Sequence, residues 1–250
     1  MKTWEFSPAE LHVPGGTTKP IGAMIDLTGG RPGTYTTNLT YIVSAEQAPI
    51  DLAQITGDYE AQDGDILTGT AGSEAHITVA AGATITLKDA TIASIPNNDS
   101  HKWAGITPLG DATIILEGTN TVKGGYDESP GIFAAENSTL TIKGTGSLDA
   151  SSNGYAAGIG GGYEISCGNI VIEGGTINAT GGTYAAGIGG GRNASCGTIT
   201  ITNTVTSVMA TKGSTAPNSI GAGYNGTCGT VTIGGTEGAI TQSPYTYPQN

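Results

Sequence analysis

The carboxylates of this chain are not paired in the way that sugar-cleaving chemistry requires. Glycoside hydrolysis needs two carboxyl groups that face each other across the bond to be broken. Here the acids of the repeated region are scattered, and no two of them share a strand at i, i+2 spacing with a basic residue beside them. Arg192 supplies the only guanidinium of that region, and His76 and His101 have no evident acidic partner. We therefore predict that the chain is not an enzyme.

Three cysteines recur at one position of successive repeats. Cys167, Cys196 and Cys228 each follow a glycine-rich loop and precede a strand. Zinc sites use paired short spacings such as Cys-x-x-Cys, which are missing here, and the odd count argues against a disulfide framework. We expect an inward-facing ladder of small buried thiols.

Some carboxylates of the chain could bind calcium. Asp127, Glu128 and Asp149 offer carboxylates of the kind that Ca²⁺ binds, although ordinary solvation explains them more simply. The prediction is therefore no cofactor and no assigned metal ligand, with calcium left open.

A row of aromatic side chains is the strongest candidate for a binding site. Tyr155 and Tyr184 occupy the same position in adjacent repeats, so they should stack about 5 Å apart. Further aromatic residues and an arginine fall in the loops of the same corner. Such a row fits stacking against sugar rings, and a purely structural tyrosine ladder that covers the corner fits equally well. The candidate ligand-binding residues are Tyr155, Tyr184, Tyr163, Tyr224, Trp103 and Arg192.

The repeat that positions these residues has a period of 26 to 32 residues. Helical repeats of similar length carry a 3.6-residue periodicity, which is absent here, whereas short strands alternate aliphatic and polar residues. The pattern predicts an all-β chain, a right-handed parallel β-helix of about six coils. One isoleucine marks the same position in successive repeats: Ile106, Ile132, Ile159, Ile188 and Ile220.

A second series of strands runs in phase with these isoleucines. In each strand the second and fourth residues are aliphatic, which indicates one buried face. A residue that tolerates the left-handed backbone region follows, and then another short strand. The strands begin at Thr84, Thr113, Thr139, Asn169, Thr198 and Thr230. The turn residues are Asp89, Gly118, Gly144, Gly174, Asn203 and Gly235. The strands after the turns hold Ile92, Val122, Leu148, Ile177, Val208 and Ile240.

The repeats do not cover the whole chain. Residues 1–48 read as strands separated by glycine- and proline-rich turns, and they predict a small antiparallel, immunoglobulin-like β module or a cap on the end of the helix. Residues 49–242 are assigned to the parallel β-helix and residues 243–250 to a C-terminal tail.

The net charge of the chain limits the classes of partner that it is expected to bind. A net charge of −12 and a pI near 4.4 argue against nucleic acid, which needs clustered Lys and Arg. No apolar run of transmembrane length is present, so membrane insertion is not expected. No signal peptide is visible at the N-terminus. Either a leader has been removed, or the protein is made without one, as a virion protein would be.

Two motifs resemble a known family. Ala112–Val122 and Ser138–Leu148 share a Thr-x-x-x-(Glu/Lys)-Gly-Thr pattern, and Ala-Ala-Gly-Ile-Gly-Gly-Gly occurs twice. Over about residues 60–242 these copies resemble secreted bacterial carbohydrate-binding-domain proteins with a pectate-lyase-like β-helix. The resemblance implies binding of acidic or cellulosic polysaccharides without lyase activity, in some members with calcium. Residues 1–46 fall outside it, and no calcium site can be matched residue by residue.

Two functions follow as expectations, and a polysaccharide lyase or hydrolase is kept as a third alternative. The first is an extracellular or cell-surface module that binds polysaccharide or a cell-surface glycan along one face of the β-helix. The second is a structural fibre, adhesin or virion appendage that acts by assembly with other protein subunits. An exposed aromatic row favours the first function, and an N-terminal docking surface favours the second.

Overall fold

The computed structural model describes residues 48–93 and 95–248, together with the backbone of two short segments near the N-terminus. The chain divides into two compact units, Met1–Ala45 and Glu46–Asn250. In the first unit, strands β1 (Ala9–His12) and β2 (Thr18–Ile21) pair antiparallel, with Ala9 opposite Ile21. The rest of the expected immunoglobulin-like module lies outside the described residues.

The second unit is a parallel β-solenoid of about five turns. It is built from short strands and one 3-10 turn, Leu52–Gln54. Its first strands are β3 (Ile50–Asp51), β4 (Asp58–Ala61), β5 (Ile66–Thr70), β6 (His76–Val79), β7 (Thr84–Ile92), β8 (Ile106–Pro108), β9 (Ala112–Glu117), β10 (Thr119–Lys123), β11 (Ile132–Phe133), β12 (Thr139–Gly144) and β13 (Ser147–Ser151). The remaining strands are β14 (Ile159–Gly160), β15 (Asn169–Ile172), β16 (Thr176–Thr180), β17 (Ile188–Gly189), β18 (Ile199–Ile201), β19 (Ser207–Thr211), β20 (Ile220–Gly221), β21 (Val231–Ile233), β22 (Thr236–Glu237) and β23 (Tyr245–Tyr247).

The strands stack in three ladders, one for each side of the coil. The first ladder runs β7, β9, β12, β15, β18, β21, and the second runs from the end of β7 through β10, β13, β16 and β19. The third runs β4, β6, β8, β11, β14, β17, β20. The expected parallel β-helix is thereby confirmed. The expectation was about six coils, whereas the solenoid has about five turns.

The isoleucine ladder forms the spine of the core. Ile132 pairs in register with Ile106 and Ile159, and Ile188 pairs with Ile159 and Ile220. All five side chains are fully buried. The predicted isoleucine series is therefore confirmed, because parallel stacking places each repeat directly on the one before it.

The first ladder buries its predicted aliphatic pairs, but its register departs from the sequence alignment at one step. Thr113 lies opposite Thr84 as expected, whereas its partner on β12 is Thr141 rather than Thr139. A shift of two residues keeps the same side chains facing inward, because side chains alternate with period two. The hydrophobic pattern alone does not distinguish these two registers.

The turn between the first and second ladders takes the left-handed conformation at most of the expected positions. Asp89, Gly118, Gly144 and Gly235 all have positive φ. In the fourth repeat the positive φ falls on Gly175 rather than on Gly174. Gly175 can adopt the left-handed conformation in place of Gly174, because both residues lack a Cβ.

The last coil departs from the repeat. Beyond Gly235 the chain reverses, so β22 pairs antiparallel with β21, and β23 pairs antiparallel with β19. Ile240 forms an antiparallel bridge to Ile220. The expectation that Ile240 continues the second ladder is therefore wrong. Residues 236–247 instead cover the last strand of each ladder, and they pair edge groups that a further coil would have paired.

Across the described part of the chain, no helix is long and apolar enough to cross a membrane.

Candidate functional site

Four tyrosines and one arginine meet at one corner of the solenoid. Backbone hydrogen bonds between coils fix their positions: the Arg192 amide donates to the Tyr155 carbonyl at 2.8 Å, and the Tyr224 amide donates to the Tyr184 carbonyl at 2.8 Å. The amide of Tyr163 donates to the Glu128 carbonyl at 3.0 Å. The side chains are therefore held by the stacked loops rather than by a flexible segment.

The rings form a continuous aromatic surface, which we call the tyrosine corner (Tyr155, Tyr163, Tyr184, Tyr224 and Arg192). The centroids of Tyr155 and Tyr184 lie 5.4 Å apart with an interplanar angle of 28°. This is the stacked pair that the repeat spacing predicts. Tyr163 lies 5.3 Å from Tyr155, and Tyr224 meets Tyr184 edge-on at 5.6 Å. All four tyrosines are half-buried, so each ring keeps part of its surface in solvent.

Arg192 lies against three of these rings. Its guanidinium carbon is 4.8 Å from the centroid of Tyr184, 5.2 Å from that of Tyr155 and 5.5 Å from that of Tyr163. These are cation–π distances. Among the described residues Arg192 forms no salt bridge, and its Nε is buried without a hydrogen-bond partner. Within residues 48–93 and 95–248, the guanidinium therefore contacts aromatic faces and pairs with no carboxylate.

An acidic residue borders the corner. The Tyr163 hydroxyl hydrogen-bonds to the carboxylate of Glu164, and this bond, together with desolvation, raises the pKa of Tyr163. Asn193 Nδ2 donates to the same carboxylate at 3.3 Å. The corner thus combines ring faces, phenol hydroxyls, an amide and a carboxylate, the groups that can stack on a sugar ring and hydrogen-bond to its hydroxyls.

A second aromatic contact near this corner escaped the sequence analysis. The ammonium of Lys102 lies 4.8 Å from the Tyr126 ring centroid and 3.1 Å from Asp99 Oδ1. A hydrogen bond to Asp99 raises the pKa of Tyr126. Tyr126 does not occupy the repeat position of Tyr155, so the alignment of repeats gave no signal for it.

Trp103 belongs to a different cluster. Its ring packs 4.8 Å from the ring of His76 and 4.9 Å from that of His101. Among the described residues, its ring contacts are with these histidines and not with the tyrosines of the corner. Of the six candidate residues, the structure therefore brings together five and places the sixth, Trp103, with the histidines.

Both histidines have acidic partners, contrary to the sequence analysis. His76 Nδ1 lies 2.8 Å from Asp58 Oδ1, and His101 Nε2 lies 3.1 Å from Glu74 Oε2. The bond from His101 lowers the pKa of Glu74. The expectation was wrong because each acid lies on the preceding coil, 18 and 27 residues away in sequence.

Several carboxylates of the coils accept hydrogen bonds from backbone amides. Asp63, Asp89 and Asp111 accept hydrogen bonds from the amides of Thr84, Thr119 and Thr139 at 2.7–2.9 Å. Each acid lies one coil before the amide that it accepts. Their carboxylates are occupied by the amides that begin the next strands, which explains why acids occur at turns without forming a cluster.

Two of the three possible calcium ligands have protein partners as well. Asp127 Oδ1 accepts from Asn97 Nδ2 at 2.8 Å, and Asp149 Oδ2 accepts from Asn178 Nδ2 at 3.2 Å. Within residues 48–93 and 95–248, no group of three or more His, Cys, Asp or Glu side chains is arranged to hold a metal ion.

The cysteines form a ladder, but not one of three free thiols. Cys196 and Cys228 are joined by a disulfide with Cα atoms 4.5 Å apart, so the expectation of free thiols is wrong for these two. Cys167 remains a buried thiol. An odd count leaves one cysteine over but does not prevent the other two from pairing when stacking brings them within bonding distance.

We predict that Cys167 is inert in the folded protein on short exposure to a thiol reagent. Burial raises its pKa to about 12, so almost none of it is the reactive thiolate near neutral pH. Brief treatment with iodoacetamide at pH 8 should leave it unlabelled, and the same treatment in guanidinium chloride without reductant should label one thiol per chain. Rapid labelling of Cys167 in the folded protein, read by peptide mass spectrometry, would contradict the burial seen here.

No family model, no curated protein and no solved structure matches this chain.

Proposed function

We propose that this protein is a non-catalytic, extracellular module that binds polysaccharide or a cell-surface glycan at the tyrosine corner. The observation that carries the proposal is the set of half-buried rings spanning three successive coils, with Tyr155 and Tyr184 stacked at 5.4 Å. Rings held in place lose little conformational entropy when a ligand stacks on them. A row that continues from coil to coil suits an extended ligand better than a single small molecule.

The distribution of charge supports a binding role over a catalytic one. Asp63, Asp89 and Asp111 accept hydrogen bonds from backbone amides. Glu164, which borders the corner, is occupied by Tyr163 and Asn193. Hydrolysis needs a carboxyl pair on either side of a substrate bond. The described geometry offers ring stacking and hydrogen bonding at this corner and not such a pair.

The alternative role, a fibre or appendage built by end-to-end assembly, is less well supported. The edge strands of the C-terminal end are already paired by β22, β23 and Ile240. A covered edge cannot take up a strand from another copy without first losing these pairs. The secreted or surface location, the right-handed sense of the coil and the link to carbohydrate-binding β-helix proteins remain part of the proposal.

The proposal is tested by affinity electrophoresis through gels that contain one polysaccharide each, from neutral glucans and xylan to polyuronates, with calcium and with chelator. We expect at least one glycan class to retard the protein. The double variant Tyr155→Ala/Tyr184→Ala should lose that retardation, with a rise in dissociation constant of at least about tenfold, because two stacking faces are removed.

Two control variants separate ligand stacking from damage to the fold. Tyr155→Phe/Tyr184→Phe keeps both rings and should keep most of the retardation, and Thr183→Ala changes an exposed neighbour of Tyr184 and should keep all of it. Equal melting temperatures of the variants show that the solenoid is intact. The proposal fails if no glycan retards the wild-type protein, or if the alanine double variant is retarded as strongly as the wild type.

A further inference from the structure

The three cysteines occupy equivalent places in three neighbouring coils. The Cys167 amide donates to the Ser195 carbonyl at 2.9 Å, and the Cys196 amide donates to the Thr227 carbonyl at the same distance. The Gly197 amide donates to the Cys167 carbonyl at 3.1 Å, and the Gly229 amide to the Cys196 carbonyl at 3.0 Å. Cys167 is therefore set against Cys196 by the same backbone register that sets Cys196 against Cys228.

The sulfur atoms of Cys167 and Cys196 also occupy equivalent positions in their coils. Cys167 Sγ lies 3.5 Å from the Gly189 carbonyl, and Cys196 Sγ lies 3.6 Å from the Gly221 carbonyl. Gly189 and Gly221 are themselves paired in the third ladder. Parallel strands stack about 4.8 Å apart, which is within the Cα separations that disulfides span. Cys196 therefore has a suitable cysteine partner on each side.

We propose that the disulfide is exchangeable: Cys196 bonds either to Cys228 or to Cys167, and the exchange moves the cross-link by one coil and releases Cys228 as a modifiable thiol. In the exchange, the Cys167 thiolate attacks Cys196 Sγ. The Cys167–Cys196 bond forms as the Cys196–Cys228 bond breaks, and Cys228 leaves as a thiolate that takes up the proton lost by Cys167. One disulfide and one thiol are present before and after, so no oxidant or reductant is consumed.

The two ends of the ladder differ in access. Cys167 is 5% exposed and Cys196 is 7% exposed, whereas Cys228 is only partly buried. Cys228 also lines a surface pocket of about 440 Å³ together with Gly238 and Ala239, under the segment that covers the last coil. Exchange thus turns a buried thiol into one that small thiol reagents or disulfides can reach, and it frees the last coil from its covalent link.

The positions of the basic residues make the exchange directly measurable. Trypsin cuts after Lys143, Arg192 and Lys212, so the three cysteines fall in three separate peptides, 144–192, 193–212 and 213–250. The full-length oxidised protein is incubated for hours with light iodoacetamide, then denatured and blocked with heavy iodoacetamide, digested and analysed by mass spectrometry. We expect light label to accumulate on peptide 213–250 while peptides 144–192 and 193–212 become disulfide-linked.

Two variants and the pH dependence test the mechanism. Cys167→Ser removes the attacking thiol, so Cys228 should take up no light label over the same time. Cys228→Ser should fold with a Cys167–Cys196 disulfide, seen as linked peptides 144–192 and 193–212. The rate for the wild type should rise roughly tenfold per pH unit, since the thiolate is the nucleophile.

Three results would each overturn the proposal. One is light label on Cys167 in place of Cys228, which would mean that the reagent reaches the thiol directly. Another is a Cys228→Ser protein that, once folded and oxidised, yields two heavy-labelled thiols. The last is light label on Cys228 at an unchanged rate in Cys167→Ser, which would mean that the disulfide is opened from outside.

Discussion

Gly189→Ala is expected to destabilise the solenoid by more than about 3 kcal/mol. Gly189 has a φ of +129° and pairs in the third ladder with Gly160 and Gly221, which have φ values of +135° and +131°. The three glycines form a stacked column in which each backbone has a conformation that L side chains rarely adopt.

Two independent costs add at this position. A residue with a Cβ pays roughly 1–3 kcal/mol to hold such a conformation. The added Cβ would also lie 2.1 Å from the Gly221 carbonyl oxygen. That oxygen belongs to the backbone of the next coil and accepts a hydrogen bond from the Gly190 amide, so it cannot move without loosening the ladder. Overpacking of this kind costs a further 1–3 kcal/mol or so.

Gly72→Ala is the matched control. A Cβ at Gly72 would meet no atom within 4 Å, and its φ is not in the left-handed region. This variant should unfold at the wild-type denaturant concentration or slightly above, because alanine reduces the freedom of the unfolded chain. Urea unfolding followed by circular dichroism compares the two variants. Similar midpoints for Gly189→Ala and Gly72→Ala would show that the column tolerates a side chain.

The solenoid is predictable from the sequence because its core repeats. Ile159 and Ile188 stand at the same point of two recognisable copies, and a period that recurs with alternating aliphatic residues leaves little choice but parallel stacking. The predicted register was wrong between Thr113 and the next strand, because a shift of two residues buries the same face and the pattern cannot distinguish the two pairings. The end of the stack was missed at Ile240, because covering an open edge is a property of the last coil and not of the repeat.

The candidate site shows the same contrast between residues at repeat positions, which the sequence predicts, and residues in irregular loops, which it does not. Tyr155 and Tyr184 come from one position of the repeat, so their stacking followed from the fold. Trp103 lies in a stretch without a clear copy, and its packing between His76 and His101 depends on a loop whose path the periodicity does not specify. Contacts between a repeat position and an irregular loop are long-range, and the spacing of residues in the sequence carries no signal for them.

Breaking the Cys196–Cys228 disulfide is expected to lower the free energy of unfolding by about 3–4 kcal/mol, since the bond closes a loop with a sequence separation of 32 residues. The loss should be concentrated at the C-terminal end. In a solenoid each coil is stabilised mainly by its neighbours, so the final coil, with one neighbour and a covering segment, depends most on the cross-link. Hydrogen exchange should therefore accelerate in β20 to β23 on reduction while β6 to β9 keep their protection.

A matched pair of variants separates the cross-link from the packing of the sulfur atoms. Cys167→Ser cannot exchange its disulfide, and reduction of this variant should lower the unfolding midpoint by as much as reduction of the wild type does. Cys196→Ala cannot form a bond to either neighbour and should unfold at one midpoint with or without reductant. If reduction leaves both the wild-type midpoint and the exchange of β20 to β23 unchanged, the covering segment alone stabilises the end of the stack. The disulfide would then contribute little beyond the packing of its sulfur atoms.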